Sequence, residues 1–295
     1  MRQITLQLTQ AETLKIVECP RDAMQGIHDF IPTAKKIEYL KFLLKVGFDT
    51  LDAGSFVSPK AIPQLRDTAE VLNSLDMSTT KSKLLTIVAN QRGGEEAVQF
   101  EQVTYLGYPF SVSEEFQLRN TNKTIVESEA LVQELVELCD KHNKELVVYI
   151  SMGFGNPYGE EWNVNIVEDW SSRLADKGVK ILSLSDTVGT SNPESINYLF
   201  SNLIPALTNV EFGAHLHTTP QTWREKIEAA YNSGCRRFDG AIKGFGGCPM
   251  AADDLVGNMP TEKLLSFAQE HGQGKNLNML AFESAYNKAL QTFPM

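Results

Sequence analysis

The triplet His215-Leu216-His217 closes an apolar run over 210–216 that reads as a β-strand. Residues i and i+2 of a strand share a face, so both imidazoles project together while Leu216 packs on the other side. That pair is half of a metal site. Far away in the chain, Arg21-Asp22 follows another apolar run, 14–19, and supplies a carboxylate that can complete the coordination. Nitrogen and oxygen donors of this kind suit Mg2+, Mn2+, Fe2+ or Zn2+ rather than soft-metal thiolate chemistry. Arg21 adds a guanidinium able to hold a carbonyl oxygen whose charge grows during reaction, a role a lysine fills less well.

Three further groups belong to the same chemistry. Gly244-Phe245-Gly246-Gly247-Cys248-Pro249 carries three glycines in four positions, a loop expected to close over a ligand with a thiol on it. Asn258, ten residues on, reads either as an oxygen ligand or as a cap for the helix that begins near Pro260. Asp186-Thr187 ends another strand, where a carboxylate can orient a water, a histidine or a substrate hydroxyl.

These residues need a scaffold that gathers distant strand ends. Apolar, β-branched runs alternate with helix-period segments eight times, the pattern of parallel strands joined by crossover helices. Strands are expected at about 14–19, 48–53, 83–90, 103–108, 145–151, 179–185, 210–217 and 236–242. Helices are expected at 33–46, 63–74, 124–143, 164–177, 193–203 and 221–233, with a short one near 95–100. Gly47, Gly178 and Gly234 stop helices just before strands. The expected fold is a (β/α)8 TIM barrel in one domain spanning 1–295, with a short helical addition from about Leu277. Its longer βα connections, 109–123, 152–163 and 243–260, all follow strand C-terminal ends, the rim where barrel active sites are built. Arg21, Asp22, Asp52, Asn90, Asp186, Thr187, His215 and His217 fall at that rim.

Composition removes several function classes. The 295 residues are 42% apolar, enough for a large core, and carry a formal charge of −10. Spread acidity disfavours nucleic-acid or anionic-membrane binding, which needs concentrated Lys and Arg. No apolar stretch reaches the 18 or so residues that cross a bilayer, and the start of the chain lacks signal-peptide or presequence features, so a cytoplasmic location is expected. Four cysteines without CxxC spacing are too sparse for a disulfide framework.

At these residues the chain resembles the 3-hydroxy-3-methylglutaryl-CoA lyases, within the wider metal-dependent lyase and synthase barrels. The likeness runs from about Lys15 to Glu262. It is carried by Pro20-Arg21-Asp22 with Gln25, by Ser55-Phe56-Val57-Ser58-Pro59-Lys60 with Pro63-Gln64, by Ser185-Asp186-Thr187 followed by Gly189, by His215-x-His217, and by Gly246-Gly247-Cys248-Pro249. The resemblance implies Asp22, His215, His217 and Asn258 as ligands of a divalent cation, Mg2+ or Mn2+. It implies Arg21 on the substrate carbonyl and Cys248 as a proton-transfer residue. Asp52 stands where the family has a catalytic-site glutamate, and Gln25, Asp186 and Thr187 fall near the substrate. Thr218 stands where an aspartate usually follows the second histidine. The implied activity is cleavage of a 3-hydroxyacyl-CoA, foremost 3-hydroxy-3-methylglutaryl-CoA to acetyl-CoA and acetoacetate, by a homodimer. Synthases of the same superfamily, which condense an acyl-CoA with a 2-oxoacid, are one alternative, and a noncatalytic ligand-binding barrel is the other.

Overall fold

Period-two alternation along the strands separates two cores. Leu85, Ile87, Tyr105, Val147, Tyr149 and Ile181 pack together in one cluster, while the residues between them, such as Leu84, Leu106, Leu146, Val148 and Leu182, belong to a second, larger one. Side chains one apart on a strand point to opposite faces, so the first cluster fills the inside of a barrel and the second lies between barrel and helices.

The strands are β1 (Lys15–Glu18), β2 (Thr50–Ser55), β3 (Lys83–Ile87), β4 (Val103–Ser111), β5 (Glu145–Ser151), β6 (Ile181–Ser185), β7 (Glu211–His215), the two-residue β8 (His217–Thr218), β9 (Arg237–Gly240) and β10 (Gly257–Asn258). Strands β1 to β7 pair in sequence, all parallel, and β9 pairs with both β7 and β1, closing an eight-stranded barrel. This is the expected (β/α)8 architecture. The structure, a computed structural model, describes residues 13–247 and 256–293.

The helices are α1 (Pro20–Gln25), α2 (Thr33–Leu44), α3 (Thr68–Asn73), α4 (Gln91–Ala97), α5 (Glu114–Thr121), α6 (Ile125–Lys141), α7 (Val164–Asp176), α8 (Pro193–Ala206), α9 (Trp223–Asn232), α10 (Thr261–Glu270) and α11 (Met279–Thr292). Several begin on side-chain caps that satisfy free backbone N–H groups: Asn163 accepts from Ile166 N, Asn192 from Ser195 N, and Thr124 forms a reciprocal box with Glu127. The anticipated stops at Gly47, Gly178 and Gly234 all have positive φ. The helical addition is α11, which packs on α2 with Phe293 edge-on to Tyr39 at 5.4 Å between centroids.

Three local expectations change. The helix expected at 63–74 is a 3-10 turn, Pro63–Leu65, followed by α3. At the break, the Thr68 hydroxyl donates to Leu65 O and accepts from Ser55 N, tying the segment to β2. The connection expected over 109–123 is the end of β4 plus α5, which starts where Ser113 accepts from Phe116 N. The short helix near 95–100 instead begins at Gln91, because the Asn90 side chain accepts from Gly93 N.

Glu18 lies on the outward face of β1, fully buried. It accepts a hydrogen bond from Ile242 N and pairs with the Thr261 hydroxyl, joining the first strand to the segments that follow β9. Burial pushes its pKa up to about 8, against the partial pull of those two hydrogen bonds. Between about pH 5 and 8 the folded state therefore holds a proton that the unfolded chain has released, and stability falls as pH rises. Glu18→Gln is expected to flatten this loss, which amounts to at most about 1.4 kcal/mol per pH unit. Thermal melts of both proteins at about pH 6 and pH 8 check it.

Candidate active site

Six-residue α1 does the first positioning. Pro20 occupies its first turn, where no N–H is needed, and Asp22 follows where the helix start favours negative charge. Gln25, three and four residues on, lies over both functional neighbours: it accepts from Arg21 Nη1 at 2.7 Å and donates to Asp22 Oδ1 at 2.7 Å. Arg21 Nε and Nη2 both donate to Asp52 Oδ2 on β2, at 2.9 and 2.6 Å, and Nη1 also reaches Asp22 Oδ1 at 3.1 Å. A guanidinium has five N–H groups. Four are engaged, so one hydrogen on Nη2 is left for a ligand.

His215 ends β7 and His217 begins β8, and their rings stand 5.4 Å apart between centroids. Leu216 is buried behind them, as strand alternation requires. His215 Nδ1 lies 3.1 Å from Asp239 Oδ2, the carboxylate–imidazole contact that fixes which nitrogen faces a cation. Ligand atoms of Asp22, His215 and His217 all lie within 4.8 Å of one another. Asn258 completes the group from β10: its Nδ2 donates to Asp22 Oδ2 at 2.6 Å and to Phe245 O at 2.9 Å. Gly246, with φ +89°, passes so close that a Cβ there would stand 2.8 Å from both Asn258 Nδ2 and Asp22 O. Only glycine fits that crossing.

Electrostatics set the two imidazoles apart. Burial and the neighbouring His215 hold His217 down to about 4, whereas His215, though buried, is raised by its Asp239 hydrogen bond. Burial acts to raise Asp22, but Arg21 and His215 outweigh it and the group stays an anion. Asp52 is pushed up to about 6 by burial despite Arg21, and its Oδ1 has no hydrogen-bond partner. Hard oxygen and imidazole donors, one of them an anion, fit a divalent cation.

These residues floor a cavity of about 620 Å³ that opens at the C-terminal rim of the barrel. Arg21, Asp22, Gln25, Asp52, Thr187, His215 and His217 all line it; Val57, Ile87, Phe116 and Tyr149 give it apolar walls, and Arg119 and Lys123 stand toward solvent. Thr187 also accepts from Met152 N at 2.8 Å, joining the ends of β5 and β6.

Asp186 is not brought to this group. Ser185 and Thr187 face the cavity, so the residue between them turns outward. Its carboxylate receives Lys226 Nζ at 2.8 Å and Ser191 N at 3.0 Å, and the same Lys226 donates to His217 O at 2.9 Å. The expected catalytic carboxylate is thus part of a buried clamp on the β8 backbone. Cys248 lies outside the described residues. Asp239 and Lys226 were not singled out from the sequence. For Asp239 the signal is a carboxylate two residues after Arg237, two charges on one face of a barrel strand; for Lys226, on a helix among other charged residues, there is none.

Residues 14–288 match the family described as HMGL-like. Among curated proteins, the chain is 31% identical over 291 residues to the hydroxymethylglutaryl-CoA lyase of Bacillus subtilis, covering 90% of this chain and 96% of that protein. It is 30% identical to a cytoplasmic 3-hydroxy-3-methylglutaryl-CoA lyase of Rattus norvegicus, covering 90% and 76%. Among solved structures, an HMG-CoA lyase from Acenitobacter baumannii in complex with coenzyme A and 3-methylmalate superposes with TM-score 0.87 at 30% identity, over 94% of this chain and 90% of that one. The HMG-CoA lyase from Brucella melitensis gives TM-score 0.87 at 28% identity, over 96% and 100%.

Proposed function

The chain belongs to the HMGL-like family, and from that premise we propose that it is a divalent-cation-dependent lyase that splits 3-hydroxy-3-methylglutaryl-CoA into acetyl-CoA and acetoacetate. The observation that carries the reading is the convergence of Asp22, His215 and His217 within 4.8 Å beside an arginine with one free N–H, on the floor of a deep cavity. Those three residues, with Asn258 once its amide turns the oxygen rather than Nδ2 toward Asp22, would hold the cation; Mg2+ or Mn2+ suits them. When bound, such a cation polarises substrate oxygens and lowers the pKa of a hydroxyl.

The side chains supply the rest. Asp52, with a pKa of about 6 and a free Oδ1, takes the proton of the substrate 3-hydroxyl. The oxygen's electrons then form the ketone as the C2–C3 bond breaks, and the bonding pair stays on C2 as a thioester enolate. The free Nη2 hydrogen of Arg21 meets the thioester oxygen where that negative charge accumulates. Cys248 gives its proton to C2, completing acetyl-CoA, and the protons on Asp52 and Cys248 re-equilibrate with water. Asp239 holds His215, and the Asp186–Lys226 pair holds the backbone of His217; neither touches the substrate. Apolar walls between the floor and the outer cations Arg119 and Lys123 suit a ligand with an oxygen-rich head, a long neutral arm and distant phosphates, the layout of an acyl-CoA.

We read the enzyme as a cytoplasmic homodimer. No helix among the described residues is long and apolar enough to cross a membrane; some lyases like it carry cytoplasmic names and others mitochondrial ones.

Acetoacetate formation from 3-hydroxy-3-methylglutaryl-CoA with Mn2+ tests the activity. Release of free CoA from acetyl-CoA plus a 2-oxoacid, with no acetoacetate, would instead make it a condensing synthase; turnover of neither would make it a binding barrel. Cys248→Ala is expected to fold normally and turn over at least about a hundredfold more slowly, the scale of lost acid–base catalysis. Steady-state kinetics alongside a melting curve check that, and an unchanged kcat retires Cys248.

A further inference from the structure

We propose that the barrel carries a second metal position, for a thiophilic cation such as Zn2+ or Cd2+, formed by Cys19, His215 and Asp239 on the Nδ1 side of His215. The ligand atoms of these three residues also lie within 4.8 Å of one another. They come from separate strand ends: Cys19 follows β1, His215 ends β7, and Asp239 lies within β9. His215 Nδ1 already faces Asp239 at 3.1 Å, so it is the nitrogen available to this set, while Nε2 is left for Asp22 and His217.

Two observations mark the place as built for a cation rather than merely crowded. Asp239 is buried, and its Oδ1 has no hydrogen-bond partner, an orphan that ordinarily calls for a ligand or a water. Cys19, also buried, makes only a 3.7 Å contact from Sγ to Val17 O, so its sulfur is uncommitted. Thiolate, imidazole and carboxylate at one point select soft or borderline d10 cations, unlike the oxygen-rich set above. Around a tetrahedral Zn2+ such donors sit roughly 3.3–3.8 Å apart, inside the 4.8 Å limit that these ligand atoms meet.

Binding exchanges one cation for two protons: the Cys19 thiol proton and the Nδ1 proton of His215 leave to solvent, and sulfur, nitrogen and an Asp239 oxygen take the metal. No electron is transferred. Because His215 gives up its hydrogen bond to Asp239, a cation here disturbs the ligand that both sets share. This position is independent of the lyase reading, and its test uses no substrate.

The experiment is titration of the chelator-treated full chain with Cd2+, reading the near-ultraviolet thiolate-to-metal charge-transfer band. The native chain and Cys248→Ser are expected to show the band, and Cys19→Ser to lack it while keeping a native circular dichroism spectrum. Cys19→Ala serves if the serine variant does not fold. Asp239→Asn is expected to need about tenfold more Cd2+ for half the signal. The proposal is overturned if the native chain gives no band, if the band survives removal of Cys19, or if it disappears with Cys248.

Discussion

An Arg21→Met protein is expected to keep the barrel and lose catalysis, with kcat lower by about a thousandfold, the upper range for removal of one transition-state donor. The variant deletes the N–H that meets the developing enolate and, at once, the two hydrogen bonds to Asp52 and those to Asp22 and Gln25. Asp52 is then a buried carboxylate with no counter-charge. Breaking a buried pair from one side costs about 3–5 kcal/mol, so the melting temperature should also fall. The two losses separate in the double variant Arg21→Met/Asp52→Asn, which removes both charges and should regain much of the stability but none of the rate. Arg21→Lys should recover little, since one ammonium cannot span Asp22 and Asp52 as a forked guanidinium does. Steady-state acetoacetate formation and thermal melts on the same preparations decide the matter; a methionine variant within tenfold of the native rate would remove Arg21 from the reaction.

Stripping divalent cations with a chelator is expected to abolish activity, and added Mg2+ or Mn2+ to restore it. Asp22→Asn or His217→Ala should weaken Mn2+ binding by at least about tenfold to a hundredfold, measured by calorimetry without substrate. The pH dependence follows from the two histidines. His215 is raised and holds a proton that a cation must displace, so affinity climbs with pH through its titration and then levels. His217, at about 4, is already neutral and adds no slope near neutrality. Full activity after exhaustive chelation would end the metal-dependent mechanism.

Much of this was legible in the residues, for definite reasons. Alternation of apolar runs with helical periods, punctuated by Gly47, Gly178 and Gly234, points to parallel strands with short returns, and eight such units without a GxGxxG after the first strand favour a closed barrel over an open doubly wound sheet. The convergence of His215-x-His217 with Arg21-Asp22 is legible because the strand period places the first pair and chain proximity the second. At Asp186 a position at the rim does not give a direction: with Ser185 and Thr187 facing inward, the parity of β6 turns Asp186 toward α9. The role of Gln25 depends on α1, a helix too short for periodicity to reveal. Lys226 could not be found locally at all, since its partners Asp186 and His217 meet it only once two βα units have packed.

The excursion between β9 and α10 is sewn shut at its base. Ala241 N donates to Met259 O, Thr261 N donates back to Ala241 O, and the β8–β10 ladder sets Asn258 opposite His217. Asn258 is thereby held opposite His217 by backbone bonds of its own, so residues of the stretch other than Gly246 and Cys248 can vary while its side chain stays where it is. Within this scaffold that latitude leaves Arg21, Asp22, His215 and His217, which sit on other elements, untouched.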